Sequence, residues 1–179
     1  MDMQKNRNIL LLFLFLMVLS IPDVFACFGD KIGIAHLKGS ESELSAQLIA
    51  IYIKEKTGID SVVNEFNDVS AADGSLKKDE TDIIIMTGTS DELDNDTLLS
   101  NNTDSKFFTL IESDGEKVVL RVAKKRLEDI KFYTLNKVMG RIHKVISGAD
   151  FKTQIDLVKA GTKFPKEAAR EYLTENDLI

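Results

Sequence analysis

The sequence predicts an α/β protein with a small, mostly parallel sheet and helices on both faces, and three observations carry that expectation. Residues 32–37 (IGIAHL) and 82–86 (DIIIM) are short, nearly continuous apolar runs, the pattern of strands buried on both sides. A helix-period segment separates the first run from a second strand-like run at 61–66 (SVVNEF), within the length of one βαβ unit. From residue 132 onward the apolar residues recur at helical spacing to the end of the chain.

The elements follow in order. After the strand at 32–37, Ser40 and Glu43 have the spacing of a capping box, so a helix is expected to start there. Leu44, Leu48, Ile51 and Tyr52 mark its inner face, and Gly58 stops it behind Lys54 and Lys56. Residues 69–78 form a weaker helix, interrupted by Gly74. The strand at 82–86 is expected to end in the loop Thr87-Gly88-Thr89, and residues 90–106 are polar enough to read as a loop. Runs at 107–112 and 117–122 flank Asp114-Gly115, which is the signature of a hairpin. Three helices close the chain: one along Phe132, Leu135, Val138, Met139, Ile142, Val145 and Ile146, one at 150–160, and one opening at Pro165 with Ala168, Ala169, Tyr172 and Leu173 inward.

Composition narrows the function classes. The 179 residues suit one ordinary domain plus a targeting segment. The net charge is -6 and the pI about 5.0, which argues against a nucleic-acid partner, because phosphates require clustered cations. The densest basic run, Lys124-Lys125-Arg126, is followed by Glu128 and Asp129 and reads as a solvated face.

Residues 1–26 have the order of a secretory signal peptide: Lys5 and Arg7, then an apolar run from Ile9 to Ile21, then Pro22 and Val24-Phe25-Ala26. The run is shorter than the roughly 20 residues a membrane-spanning helix needs. Cleavage after Ala26 places Cys27 first, where a bacterial lipoprotein carries its lipid. Asp23 and Phe25 are atypical of such signals, so both a lipid-anchored and a soluble periplasmic protein are open. Cys27 is the only cysteine, and no intramolecular disulfide can form.

Three segments resemble the substrate-binding proteins of ABC transporters for glycine betaine, choline and related osmoprotectants. They are KIGIAHLKGSESELSAQLIAIYIKEKTGIDSVVNEF (31–66), LKKDETDIIIMTGT (76–89), and the tail LNKVMGRIHKVIS through KFPKEAAREYLTENDLI. The resemblance implies a type II periplasmic binding protein, a non-enzymatic protein of two α/β lobes with the ligand between them. In that family the chain leaves the first lobe after the "TGT" strand and builds the second. Here only the polar stretch 90–106 precedes the returning hairpin, whereas a second lobe needs roughly 100 residues. Residues 27–179 are therefore expected to form a single lobe with an incomplete cleft. An ABC permease or a second copy of the chain would be its partner, and a small osmolyte would bind weakly. The alternative is a non-transport periplasmic interaction protein that keeps the lobe as a scaffold.

Parallel strands gather their carboxyl ends at one edge, where α/β proteins bind ligands. The candidate site is therefore Ser40 and Ser42, beside a helix N-terminus, with Thr87, Gly88 and Thr89 next to them. Ser40 also has the simpler role of capping its helix. The chain has no Trp and three Tyr (Tyr52, Tyr133 and Tyr172), all expected as packing residues on helices, too few for an aromatic cage. His36 and His143, the only histidines, are expected on the surface or in loops; no metal-ligand spacing, phosphate loop or catalytic constellation is present, and no cofactor is expected. Export with cleavage beside Cys27 predicts that the protein recovered from its native membrane and periplasmic fractions lacks residues 1–26. Mass spectrometry checks this, and a diacylglyceryl adduct on Cys27 would identify the lipoprotein form.

Overall fold

A computed structural model describes residues 31–89, 104–113, 116–142, 146 and 149–179. The expected signal peptide, Cys27, His143 and most of the polar stretch 90–106 lie outside the described residues. The described elements are β1 (Ile32–Leu37), α1 (Ser40–Thr57), β2 (Ser61–Phe66), α2 (Val69–Lys77), β3 (Ile83–Thr89), β4 (Ser105–Ser113), β5 (Glu116–Ala123), a short α3 (Lys124–Glu128), a 3₁₀ turn (Ile130–Phe132), α4 (Tyr133–Ile142), α5 (Ala149–Lys159) and α6 (Pro165–Glu175).

The five strands form one sheet in the order β2-β1-β3-β5-β4. β1 pairs in parallel with β2 and β3, while β5 pairs antiparallel with β3 and with β4. β5 alone therefore opposes the other four strands, and, like β1 and β3, it is buried on both faces, from Val118 to Ala123. This is the α/β fold expected from the sequence.

The two faces are covered unequally. On one, Ile32, Ile34, Ile83 and Ile85, with Val118, Leu120 and Val122 of β5, share one core with α1, to which Leu135 and Met139 of α4, Phe151 and Ile155 of α5, and Ala169 and Leu173 of α6 also belong. α1 thus lies between the sheet and an outer layer of helices and is buried on most of its circumference, from Ser42 and Leu44 to Tyr52 and Ile53. On the other face Ala35, Ile84, Met86, Val119 and Ala123 pack against Ala72 and Leu76 of α2.

Local chemistry explains the boundaries. Gly58 adopts a left-handed conformation (φ 75°) and its N–H donates to the Lys54 carbonyl at 2.8 Å, closing α1. Asp68 caps α2 by accepting from the Ala71 N–H at 2.8 Å. A Cβ on Gly33 would lie 2.8 Å from the Glu80 carbonyl oxygen, so β1 accepts only glycine where the chain entering β3 crosses it.

Three expectations need correction. Ser40 does not cap α1: the cap is Gly39, with no side-chain hydrogen bond, and Ser40 is the first helical residue. Gly39 has φ 146°, a conformation a side chain disfavours, and its carbonyl accepts the first helical bond from Glu43 at 3.0 Å. Thr87, Gly88 and Thr89 are not a loop but the last three residues of β3, because β5 supplies them with Val118, Lys117 and Glu116 as partners. Ser105 and Lys106, expected in the polar loop, open β4 by pairing with Ala123 and Val122.

Ile84 is fully buried on the α2 face, on the strand between β1 and β5. Ile84→Ala should cost about 2–5 kcal/mol. An unchanged denaturation midpoint would show that β3 does not carry the core.

Candidate functional site

The carboxyl edge of β1 and β3 was the expected site. The strands are adjacent and in parallel register through His36 opposite Ile85, so the turn after Leu37 and the end of β3 share one edge of the sheet. Ser42 is buried there. Its hydroxyl faces two carbonyl acceptors, that of Leu37 and that of Gly39 (3.0 Å), and it has one proton to give. It staples the end of β1 to the first turn of α1. Thr87 and Thr89 alternate with Gly88 along β3, so both hydroxyls project on the α1 face; Thr87 is half-buried and Thr89 exposed.

His36 departs from its expected surface position. It is buried in β1, and its Nδ1–H donates to the Leu37 carbonyl at 2.9 Å. The aromatic rings are elsewhere. Tyr52 and Tyr172 are buried in the core of the α1 face, and Phe151 meets Tyr172 edge-on with centroids 5.2 Å apart. Burial, reinforced by Asp150, pushes the Tyr172 phenol above its ordinary range. Tyr133 is exposed, at the start of α4.

The opposite, amino-terminal edge holds the denser polar construction. Asp82 enters β3 with a buried carboxylate. Its Oδ2 accepts from the Gly33 N–H at 2.8 Å and its Oδ1 from Arg126 Nε at 2.6 Å. Its own N–H donates to the Gly33 carbonyl at 2.8 Å, and its carbonyl accepts from the Ala123 N–H at 2.9 Å. One residue thus ties β1, β3, β5 and α3 together. Arg126 also stacks over Phe132, 5.0 Å from the ring centre. The basic run 124–126 is therefore only partly a solvated face: Lys125 pairs with Asp79, and Arg126 is built into the fold.

Arg121 sits on β5 in the middle of VVLRVA and is almost wholly buried (1% exposed). Its Nη1 donates to Asp73 Oδ1 on α2 at 2.6 Å, and its Nε donates to Ser105 Oγ on β4 at 3.1 Å. Lys77 donates to the other Asp73 oxygen at 2.7 Å. Burial alone would raise the Asp73 carboxyl, but the hydrogen bonds from Lys77 and Arg121 outweigh it and hold the group below its ordinary value. Between the end of α2, the start of β4, β5 and α3 lies a cavity of about 500 Å³, which Arg121 and Ser105 line.

The sequence-predicted residues are thus brought to one edge, without an enclosed pocket assigned to them among the described residues. The cavity and the Arg121–Asp73 pair were missed; the available signal was a lone arginine in an apolar strand. Among the described residues no group of three or more His, Cys, Asp or Glu is placed to hold a metal ion. No described helix is long and apolar enough to cross a membrane. Comparison with protein-family models and with curated proteins finds no match for the chain.

Asp73→Asn leaves Arg121 buried without its counter-charge and should destabilise the protein by about 3–5 kcal/mol at neutral pH. The native carboxyl is depressed, so its contribution is complete above the unfolded value of about 3.9 and disappears as pH falls through the native value. Denaturant midpoints of both proteins between neutral pH and about pH 3 should therefore converge in acid. Midpoints that stay equally far apart would exclude Asp73 as a source of the acid slope.

Proposed function

We propose that this chain is a non-enzymatic, exported binding protein: a component of an ABC transporter of the glycine betaine or osmoprotectant type, reduced to one lobe with an incomplete cleft. The observation that carries this reading is the junction of β3 and β5. β3 runs through Thr89, paired residue by residue with the returning strand, so the "TGT" segment that would lead into a second lobe belongs to the sheet of the first. The carboxyl edge is then one wall of a cleft whose opposite wall must come from elsewhere, an ABC permease or a second copy of the chain.

Such a wall holds a quaternary ammonium poorly. Ligand sites normally bury most of the ligand surface. Against an open wall the ammonium stays hydrated, and each cation–π contact yields only about 0.5–1 kcal/mol. The buried positions of Tyr52 and Tyr172 remove two of the three tyrosines from such contact. Two or three weak contacts do not offset the several kcal/mol of translational and rotational freedom lost on binding.

A second reading, a periplasmic interaction protein that uses the lobe as a scaffold, is favoured by Ser42 and His36. Their hydroxyl and Nδ1–H are spent on the carbonyls of the same turn rather than turned toward a ligand.

Isothermal titration of the monomer with betaine, choline and carnitine should show affinity no better than about millimolar. Micromolar binding by the monomer would overturn the open-wall argument, whereas micromolar binding by a dimer would identify a second copy as the missing wall. Co-purification with an ABC permease distinguishes the transport reading from the scaffold reading.

A further inference from the structure

Among the described residues four large hydrophobic side chains are exposed: Val62, Ile130, Tyr133 and Phe164. Single exposed hydrophobics are ordinary on a protein surface. Ile130 and Tyr133 differ in being a pair. They are three residues apart, where the 3₁₀ turn passes into α4, and are 89% and 75% exposed. At that spacing in a 3₁₀ turn two side chains lie one above the other. Phe132, between them in sequence, is buried in the core. The turn thus hides one ring and presents an aliphatic and an aromatic side chain together.

Asp82 fixes where this pair lies. Its carboxylate accepts from the Gly33 N–H on one oxygen and from Arg126 Nε on the other, and Arg126 lies over Phe132. The turn is therefore close to the head of β1, where the described chain begins at Lys31. Cys27 is four residues before Lys31, a reach of at most about 14 Å, and the apolar run from Ile9 to Ile21 precedes it. A lipid on Cys27 would hold the amino-terminal end of the sheet, with Ile130 and Tyr133, against the bilayer.

The chemistry of the pair suits that position. Isoleucine offers contact with acyl chains, and tyrosine places its ring at the acyl boundary with its hydroxyl among the headgroups. Lys125 and Arg126 of α3 are paired with Asp79 and Asp82, so attraction to anionic headgroups contributes little beside apolar insertion. Two such side chains are too few to bring a free protein to a membrane. On a short tether their insertion is an intramolecular step at millimolar effective concentration.

We propose that the amino-terminal end of the sheet is a membrane-facing surface, on which Ile130 and Tyr133 insert into a phospholipid bilayer beside an anchor at Cys27. The proposal rests on the export reading and adds to it the anchored form and the face that meets the lipid. The carboxyl edge is then turned away from the membrane.

The chain has no tryptophan, so Tyr133→Trp and Phe164→Trp each give the full-length protein a single fluorophore. Phe164 is the exposed control at the other end: Lys159 before it pairs with Glu41 in the first turn of α1 at 3.8 Å, and Arg170 after it pairs with Glu55 toward the end of α1 at 3.6 Å. Each protein is recovered from the membrane fraction of the expressing bacterium and reconstituted in phosphatidylcholine vesicles with and without brominated acyl chains. Bromine should reduce the emission of the Tyr133→Trp protein about two-fold, because an interfacial side chain enters the headgroup–acyl boundary by about 5–10 Å. The Phe164→Trp protein should be unaffected. Ile130→Asp, at an exposed position, should remove the quenching and leave the melting temperature unchanged. Equal quenching of the two proteins, quenching of neither, or quenching that survives Ile130→Asp overturns the proposal. So does recovery of the chain from soluble fractions alone, and its mass separates the two failures. A soluble chain that begins at Cys27 keeps the export reading and loses only the membrane face, whereas a soluble chain with residues 1–26 intact loses both.

Discussion

Burial of α1 is the constraint on which the larger half of the molecule depends. A helix lying on a sheet usually buries one stripe and shows the other to water. α1 buries Leu44, Leu48 and Ile51, and also Ala46, Ile49 and Ile53, so it requires cover on the side away from the sheet. α4, α5 and α6 supply that cover, and their own apolar faces end on it. The C-terminal third of the chain is therefore part of the core. The smaller face has no such layer among the described residues. Its only described helix packed on the sheet is α2, held by polar contacts as much as by Ala72 and Leu76.

Most of this was legible in the sequence. The uninterrupted apolar runs of β1 and β3 signal parallel strands covered on both faces, and Asp114-Gly115 between two strand-like runs signals a hairpin. These are local signals and survive without knowledge of the fold. The misreadings have a common physical origin in partners distant along the chain. Thr87 to Thr89 look like a loop because threonine and glycine end strands, yet β5, some 30 residues on, completes their hydrogen bonding. Ser40 has capping-box spacing with Glu43, but Gly39 takes the cap because the turn after Lys38 requires φ 146°. The pairing of Arg121 with Asp73 spans 48 residues, and no pattern within a window of one helix or hairpin reveals it.

The two ends of the sheet divide the polar chemistry between them. At the carboxyl edge, the polar atoms of His36 and Ser42 serve the β1–α1 turn itself, and Thr87 and Thr89 lie on the end of β3. At the amino-terminal edge, the pairs Asp82–Arg126 and Asp73–Arg121, with Gly33 and Ser105 as further partners, join β1, α2, β3, β4, β5 and α3. The expectation that parallel strands concentrate ligand chemistry at their carboxyl ends carries less weight here. The antiparallel strand β5 brings its own charged residue to the other end.

Arg121 has one further consequence, for how the hairpin finds its alignment. Successive residues of β5 face opposite sides of the sheet, so a slip of one position would carry the guanidinium into the apolar layer that holds Val118, Leu120 and Val122. Asp73 would at the same time be left on the far side with only Lys77 to answer it. An apolar residue at position 121 would tolerate that slip far better. The neighbouring strand already accommodates one irregularity, between Thr109 and Ile111. A single buried charge whose carboxylate partner lies on one face of the sheet acts as a key that fits one alignment, and the hairpin locks when Arg121 reaches Asp73.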